Sequence, residues 1–574
     1  MIFSNDRQEL ENQVTDIIYK AFSSLTDRSP MYDILRTLYY YGSLEAIQMP
    51  VPYNMIWEKV NTLSSFLYAG YTTNFNVDVE RSTDETRYLN ILKAERAAEA
   101  ISDRWHDAKI DLYMDLAVNY AIAYSSYFIK LFWRNGTFKP FLVHPGNIGV
   151  LNERRTDINA QEAIVHHYTC SIHQFARDIV NHPDREDIVS RVSTSTSIDR
   201  GSAYPQGMRR IIFAATEQGA DFAGGSIARF PIITAVDRPY TAEEEIEMDE
   251  IWAWDDEVDD WRVFTVASNN VLVWDQYAGD VKEEGKIVRR GRFVKGCQPF
   301  IHICPSPMDD YFFGWPEIFN IVRIQEWHTE RLADIRQLHK KALNPPKAGF
   351  GLGGMTDERM AARELNAAGG FYNFKGPNQK IEEFKVDLPE SLYTELQDIR
   401  GLVDDMWGLQ DIMKGKGVAG VRSRGQTEIL TSYGSSRLKR KALRVEDSCS
   451  NTGTLMLKLM QRYDDRHYTL ENGMPFILKQ ITDEWQVRVD SHSSSPIFSG
   501  DLEDKAFAMK DREMIDSETA IDLMSINFKD AIKRKARKKD KEALKAVADA
   551  QKEGAKEAAE EEIKAEKAKL KTVQ

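Results

Sequence analysis

At 574 residues the chain is too long for one core and is read as about three or four domains or subdomains. It is 42% hydrophobic and 29% charged, with a formal net charge of −14. That acidity argues against a free-standing DNA-coating protein, but not against one that encloses DNA behind a mostly repulsive wall. Four cysteines, Cys170, Cys297, Cys304 and Cys449, exclude a disulfide scaffold and fit a reducing compartment.

Charges interrupt residues 1–22, so no secretory leader is read there. No uncharged and predominantly apolar run reaches the ~20 residues that span a bilayer. A cytoplasmic protein, or one in a particle assembled there, is expected. The first 70 residues read as helical and aromatic, with Tyr39, Tyr53, Trp57 and Phe66 serving core packing or a subunit interface. A strand at 73–79 leads into one long helix at 85–125. Asn135-Gly136 between two alternating apolar runs predicts a tight hairpin. Further strands are expected at 163–171, 211–215, 229–236, 261–267 and 271–274, with a loop at 190–207. This part reads as α+β with a mostly antiparallel sheet.

His166, His167 and Cys170, and likewise Cys297, His302 and Cys304, bring together residue types that bind metals. Neither group has a familiar zinc spacing, and no metal is assigned. The acidic run from Glu243 to Asp260 lacks the calcium-loop pattern, and Ile251, Ala253 and Val258 predict a strand and turn with a solvated face.

From Pro316 the pattern becomes helical, with Ile318, Ile321, Val322, Leu332, Ile335 and Leu338 on one stripe. Arg336, His339, Lys340 and Lys341 close this helix and complement its dipole, and Pro345-Pro346 stops it. A compact insert follows, with a short helix at 359–365, strands at 370–374 and 381–386, and glycine clusters at both ends. Its Phe350, Phe371, Tyr372 and Phe374 suit a partner surface. A second helix returns from Leu388 through Leu392, Leu396, Ile399, Val403 and Met406. The two helices read as an antiparallel pair with a protruding head.

Residues 409–424 form a basic, glycine-rich loop. Lys414, Lys416, Arg422 and Arg424 lie among Gly415, Gly417, Gly420 and Gly425, with no acid between Asp411 and Glu428. A cationic loop held by rigid helices suits contact with a polyanion regardless of its sequence; a plain surface loop is the alternative. Gly415 to Gly420 match G-x-G-x-x-G, but no strand is expected before them and no βαβ unit surrounds them, so a dinucleotide site is not assigned. No Walker pattern is present. A very long helix at 426–464, a strand within 482–491, and helices from 501 and 517 complete the order. Residues 529–574 carry 15 basic and 10 acidic side chains, net +5, which leaves −19 for the remainder. This Ala/Glu/Lys-rich tail cannot bury a core by itself.

The order of α+β region, helix, proline-bounded insert, antiparallel helix, basic loop, long helix and helical C-terminus resembles the portal (head–tail connector) proteins of tailed bacteriophages. The resemblance covers roughly residues 30–525 by organisation and is strongest at 316–464. It carries no short catalytic motif. It implies a wing at 1–314, stem helices at 315–343 and 388–408, a clip at 344–387 and a tunnel loop at 409–424. The long helix and return strand of the wing would follow at 425–500, and a crown at 501–528. The charged tail at 529–574 departs from the family's minimal pattern.

By the same resemblance the chain forms a ring, typically of twelve copies, at the portal vertex of the virion. Double-stranded DNA passes through it during packaging and ejection. Its partners would be terminase, major capsid and scaffold proteins, and tail or adaptor proteins. Lys414, Lys416, Arg422 and Arg424 would line the channel, with Lys340 and Lys341 as a candidate second belt. No cofactor and no catalytic residue are implied, because terminase supplies ATP hydrolysis. A metal-dependent nuclease using the Glu243–Asp260 carboxylates, and a non-portal adaptor or scaffold, are the alternative readings.

Overall fold

The computed structural model describes residues 1–43, 53–69, 73–78, 84–192, 245–283, 286–343, 347–350, 359, 380–383, 389–408, 424–470, 473–481, 485–489 and 509–510. The strands expected at 211–215 and 229–236 and most of the 190–207 loop lie outside these residues. So do the helices expected from 501 and 517, apart from Met509 and Lys510, and the charged tail.

The fold is α+β, and every strand pair described is antiparallel. The first helix, Arg7–Ala21, starts where the Asp6 side chain accepts from Gln8 N at 2.8 Å. Its buried Leu10, Val14, Ile17, Ile18 and Ala21 recur at helical spacing. They cover one face of a five-stranded sheet, with Val165, Ile251, Phe264 and Val266 beneath them. The sheet runs in the order β4 (Ile148–Val150), β5 (Ala163–Ser171), β6 (Glu245–Asp255), β7 (Asp260–Ala267), β8 (Val271–Tyr277). Gly149 in β4 is a close-approach position, since a Cβ there would stand 2.8 Å from the Ala21 carbonyl oxygen.

The opposite face, with Ile164, Trp252 and Val263, joins the main core. There it meets a three-stranded sheet in the order β11 (Phe300–Ile303), β2 (Tyr127–Arg134), β3 (Thr137–Val143). The hairpin between β2 and β3 turns at Asn135 and Gly136, with φ of 54° and 76°. Two positive φ values are what the two-residue loop of a twisted hairpin requires.

The strand expected at 73–79 is β1 (Phe75–Asp78). It pairs with β16 (Gln486–Val489), from the far end of the described chain. The single helix expected at 85–125 is two helices, Asp84–Asp107 and Ile110–Tyr124. Lys109 breaks it in the left-handed conformation, at φ 56°. The fully buried Asp111 just beyond the break accepts from Trp105 Nε1 at 2.5 Å and from the Tyr68 hydroxyl at 3.0 Å, and lies 2.7 Å from His106 Nδ1. A continuous helix would leave this carboxylate without that set of partners.

The helix expected at 315–343 begins later than that. Glu317–Asn320 is a short 3-10 turn, and the α-helix runs Val322–Leu343. Within the insert, β12 (Lys347–Phe350) pairs with β13 (Lys380–Glu383), which overlaps the strand expected at 381–386. The return helix is Glu390–Trp407, and Gly408 ends it with a left-handed φ of 72°. Its buried residues are Leu396, Ile399, Val403 and Trp407, while Met406 of the expected stripe is 47% exposed. The long helix, Arg424–Tyr463, has 40 residues and so extends ~60 Å. It threads the main core with Leu438, Ala442, Val445, Cys449, Met456 and Met460. At Gly453 it meets the β1–β16 ribbon closely, because a Cβ there would stand 2.8 Å from Val487 Cγ1. Among the described residues no helix is long and apolar enough to cross a membrane.

Candidate functional site

The helix pair and the segment it delivers are the features from which a site can be built. Ile335 on the outgoing helix and Leu396, Ile399 and Val403 on the return helix are buried. Polar contacts set the register. Arg331 Nε donates to Glu395 at 2.8 Å, and Trp327 Nε1 donates to the same carboxylate at 3.1 Å. His339 Nε2 lies 2.6 Å from the Tyr393 hydroxyl, and Arg400 Nε lies 3.3 Å from His328 Nε2. Partners rise along one helix as they fall along the other, so the pair is antiparallel.

The base of the pair is fixed to the helix Met55–Leu67 and the residues just before it. Gln325 accepts from Met55 N at 2.8 Å and donates to the Tyr53 carbonyl at 3.1 Å. Lys59 pairs with Asp404 at 2.8 Å. The Arg400 guanidinium lies 4.5 Å from the centre of the Tyr53 ring. Burial and the adjacent Arg400 push the His328 pKa down, so His328 stays neutral at neutral pH.

The return helix ends the chain before the basic segment, and the long helix takes it up afterwards. The chain leaves at Gly408, beside the Arg437 side chain, and Arg437 NH1 donates to the Asp405 carbonyl at 3.4 Å. It re-enters as helix at Arg424, 13 residues and ~20 Å further along the helix axis. Arg424, expected in the loop, therefore heads the long helix. A cation there opposes the helix dipole, and no acidic residue occupies the first turn. Lys414, Lys416 and Arg422 lie outside the described residues, as do Phe371, Tyr372 and Phe374. Phe350 is the last residue of β12 and pairs with Lys380. Lys340 and Lys341 are exposed in the last turn of their helix.

The sequence reading did not single out a second run of cations, Arg437, Lys439, Arg440, Lys441 and Arg444, in the middle of the long helix. Lys441 turns inward to Glu317 at 2.5 Å. Arg440 and Arg444 are exposed. Helical period could have revealed them, since 437, 440 and 444 share one face.

The acidic run is solvated only in part: Asp256, Glu257 and Asp259 of the turn are exposed, but the strand carboxylates are not. Asp249, Glu250, Asp255 and Asp260 are all buried. Asp249 lies 2.9 Å from His167 Nδ1, and Glu250 pairs with Lys130 at 3.0 Å and accepts from Trp252 Nε1 at 2.7 Å. Asp255 accepts from the Tyr277 hydroxyl at 3.0 Å, and Asp260 accepts from Gly279 N at 2.7 Å and Gly296 N at 2.8 Å. Burial alone would raise the Glu250 pKa, but Lys130, Arg292 and His166 hold it down at about 2. Burial lowers the Lys130 pKa more than Glu250 raises it. His166 and His167, adjacent on β5, have separate partners, Lys130 at 3.0 Å and Asp249. His302 stacks against both Phe128 and Phe312, with ring centres 4.8 and 4.4 Å away, and burial lowers its pKa to about 3. Burial also pushes the Cys304 thiol up to about 12, so it stays protonated. Among the described residues no three His, Cys, Asp or Glu side chains form a group that could hold a metal ion.

The match to G-x-G-x-x-G lies outside the described residues, and the described elements on both sides of it are helices. No family model matches the chain, and no curated protein matches it.

Proposed function

We propose that this chain is a portal-type subunit, whose copies close into a ring around a channel for double-stranded DNA. The observation that carries the reading is the antiparallel helix pair. It holds a small two-stranded insert at its far end, delivers a basic segment at its near end and continues into a 40-residue helix locked into the core. Repeating this unit about an axis would turn one subunit's loop cations into a collar. Weak contacts from Lys414, Lys416, Arg422 and Arg424 would hold phosphates without reading bases. Lys340 and Lys341, exposed nearer the insert, would form a second belt.

The insert at 344–387, with Phe350, Phe371, Tyr372 and Phe374, would dock terminase during packaging and tail or adaptor proteins afterwards. The wing would meet major capsid and scaffold proteins in the virion. The reading assigns the chain no catalytic step and no cofactor. The nuclease alternative is weakened because four carboxylates of the run, Asp249, Glu250, Asp255 and Asp260, are buried and already bonded to His167, Lys130, Tyr277 and backbone amides, which leaves the exposed turn residues Asp256, Glu257 and Asp259. Negative-stain images of the purified protein should show rings with a central hole, with a mass by light scattering near twelve subunits. A monomer under all assembly conditions would refute the proposal.

A further inference from the structure

We propose that neighbouring copies meet through the exposed face of the helix Ile110–Tyr124 on one and the Arg440–Arg444 turn of the long helix on the next. The inference rests on the ring reading and names which surfaces would touch.

The first surface is apolar with a negative centre. Leu112 and Leu116 are 43% and 44% exposed, although Ile110, Met114, Ala117, Val118 and Ala121 bury the other side of the helix. Asp115 is exposed between the two leucines and shares their face. Asp115 makes no ion pair among the described residues, and partial burial raises its pKa. Asn119, one turn on, donates to Asn61 at 2.8 Å, which joins this face to the helix Met55–Leu67. Trp57 on that helix is 52% exposed and extends the apolar area.

The second surface has the opposite sign. Leu443 is 46% exposed between Arg440 and Arg444, both exposed. Neither arginine is in an ion pair among the described residues. Asp447, the nearest carboxylate on the same face, accepts instead from Asn451 at 3.2 Å. A leucine between two arginines has nothing to offer a phosphate backbone, but it suits an apolar protein surface with a carboxylate at its centre. The apolar area would drive the contact and the charges would set its register, because exposed ion pairs alone contribute little. Complementary patches on two different helices make a heterologous contact, the kind that closes rings.

Charge exchange in the full chain tests this. Asp115→Arg and Arg440→Asp, each alone, should shift the light-scattering mass from the large oligomer to the monomer under conditions where the parent assembles. The double variant should restore the oligomer. Leu116→Ser and Leu443→Ser should weaken assembly in the same way, with circular dichroism unchanged. If the parent assembles and the single variants assemble equally well, or the double variant is no better than either single, this interface is wrong while the ring reading stands. A parent that never assembles overturns both. If Arg440→Asp leaves assembly intact and lowers only DNA retention, the stripe is a nucleic-acid contact and the inference fails.

Discussion

Replacing Lys130 by Met tests whether the acidic strand β6 is architecture or chemistry. Lys130 on β2 reaches Glu250 on β6, with side chains 5% and 6% exposed, so the pair joins the two sheets inside the core. Met keeps the length of the side chain and removes the charge. Glu250 would keep its bond from Trp252 Nε1 but lose the cation that lets it stay ionised. Breaking one side of a buried pair costs about 3–5 kcal/mol. The lower end is expected here because Arg292 also lowers the Glu250 pKa. Adding Glu250→Gln removes the stranded charge, so the double variant should cost less than the sum of the singles, with a coupling of about 2–3 kcal/mol.

Denaturant unfolding followed by tryptophan fluorescence reads this out, since Trp252 reports from the site. The pH dependence carries a second signature. The Glu250 pKa is about 2 in the folded chain, below its ordinary 4.5, so its contribution is full above 4.5 and is lost as pH falls toward 2. In Lys130→Met the folded Glu250 pKa rises, because burial is no longer offset by that cation, so the acid loss should shrink or reverse. A cost under about 1 kcal/mol, additive with Glu250→Gln, would refute the reasoning. A Glu250→Gln variant that folds at full stability yet loses a nuclease activity would restore the enzymatic alternative.

Neutralising Lys414, Lys416, Arg422 and Arg424 together should leave assembly nearly unchanged, because loop charges contribute little to folding. It should weaken DNA retention and flatten its dependence on salt, by a slope of up to ~0.9 for each phosphate that is no longer neutralised. Equal retention at low and moderate salt would make the segment a linker. At the helix break, the hydrogen bond that His106 donates to the Asp111 carboxylate raises the His106 pKa against the opposing effect of burial. This pairing therefore stabilises the fold fully below about 6.5 and fades as pH rises through the higher folded value. Asp111→Asn should lower stability by about 1–3 kcal/mol and abolish that alkaline decline, measured by denaturation midpoints across neutral to mildly alkaline pH.

Local signals accounted for much of the fold. The span 163–171 is β5, Asn135-Gly136 is the hairpin turn, and 426–464 falls within two residues of the 40-residue helix. Each is written into its own residues, through alternation, positive-φ turn chemistry or sustained helical period. The misses share a different cause. Nothing near Ala108 and Lys109 reads as a breaker, and the break becomes favourable only when Tyr68 and Trp105 converge on Asp111. The pairing of β1 with β16 joins residues more than 400 positions apart and has no local signature. β12 was hidden because Lys347 to Phe350 contains a glycine and borders a proline pair, both of which read as turn.

The candidate site was legible in a similarly uneven way. Composition marks the 409–424 segment as cationic and unsuited to packing, yet it does not say what holds its ends. The structure supplies that at Gly408 and Arg437, and it moves Arg424 onto the head of the long helix. The acidic run misled for the opposite reason. Clustered carboxylates in a sequence read as solvated or metal-binding, because their partners Lys130, His167 and Tyr277 sit on other strands and cannot be seen nearby. The same asymmetry separates Arg440 and Arg444 from Lys441. All three are cations within five residues, but the fold gives Lys441 to Glu317 and leaves the two arginines exposed beside Leu443 without an ion pair among the described residues. Charge density alone therefore does not locate a binding surface in this chain. What distinguishes one is a charge that the fold leaves unmatched next to apolar area that it leaves uncovered.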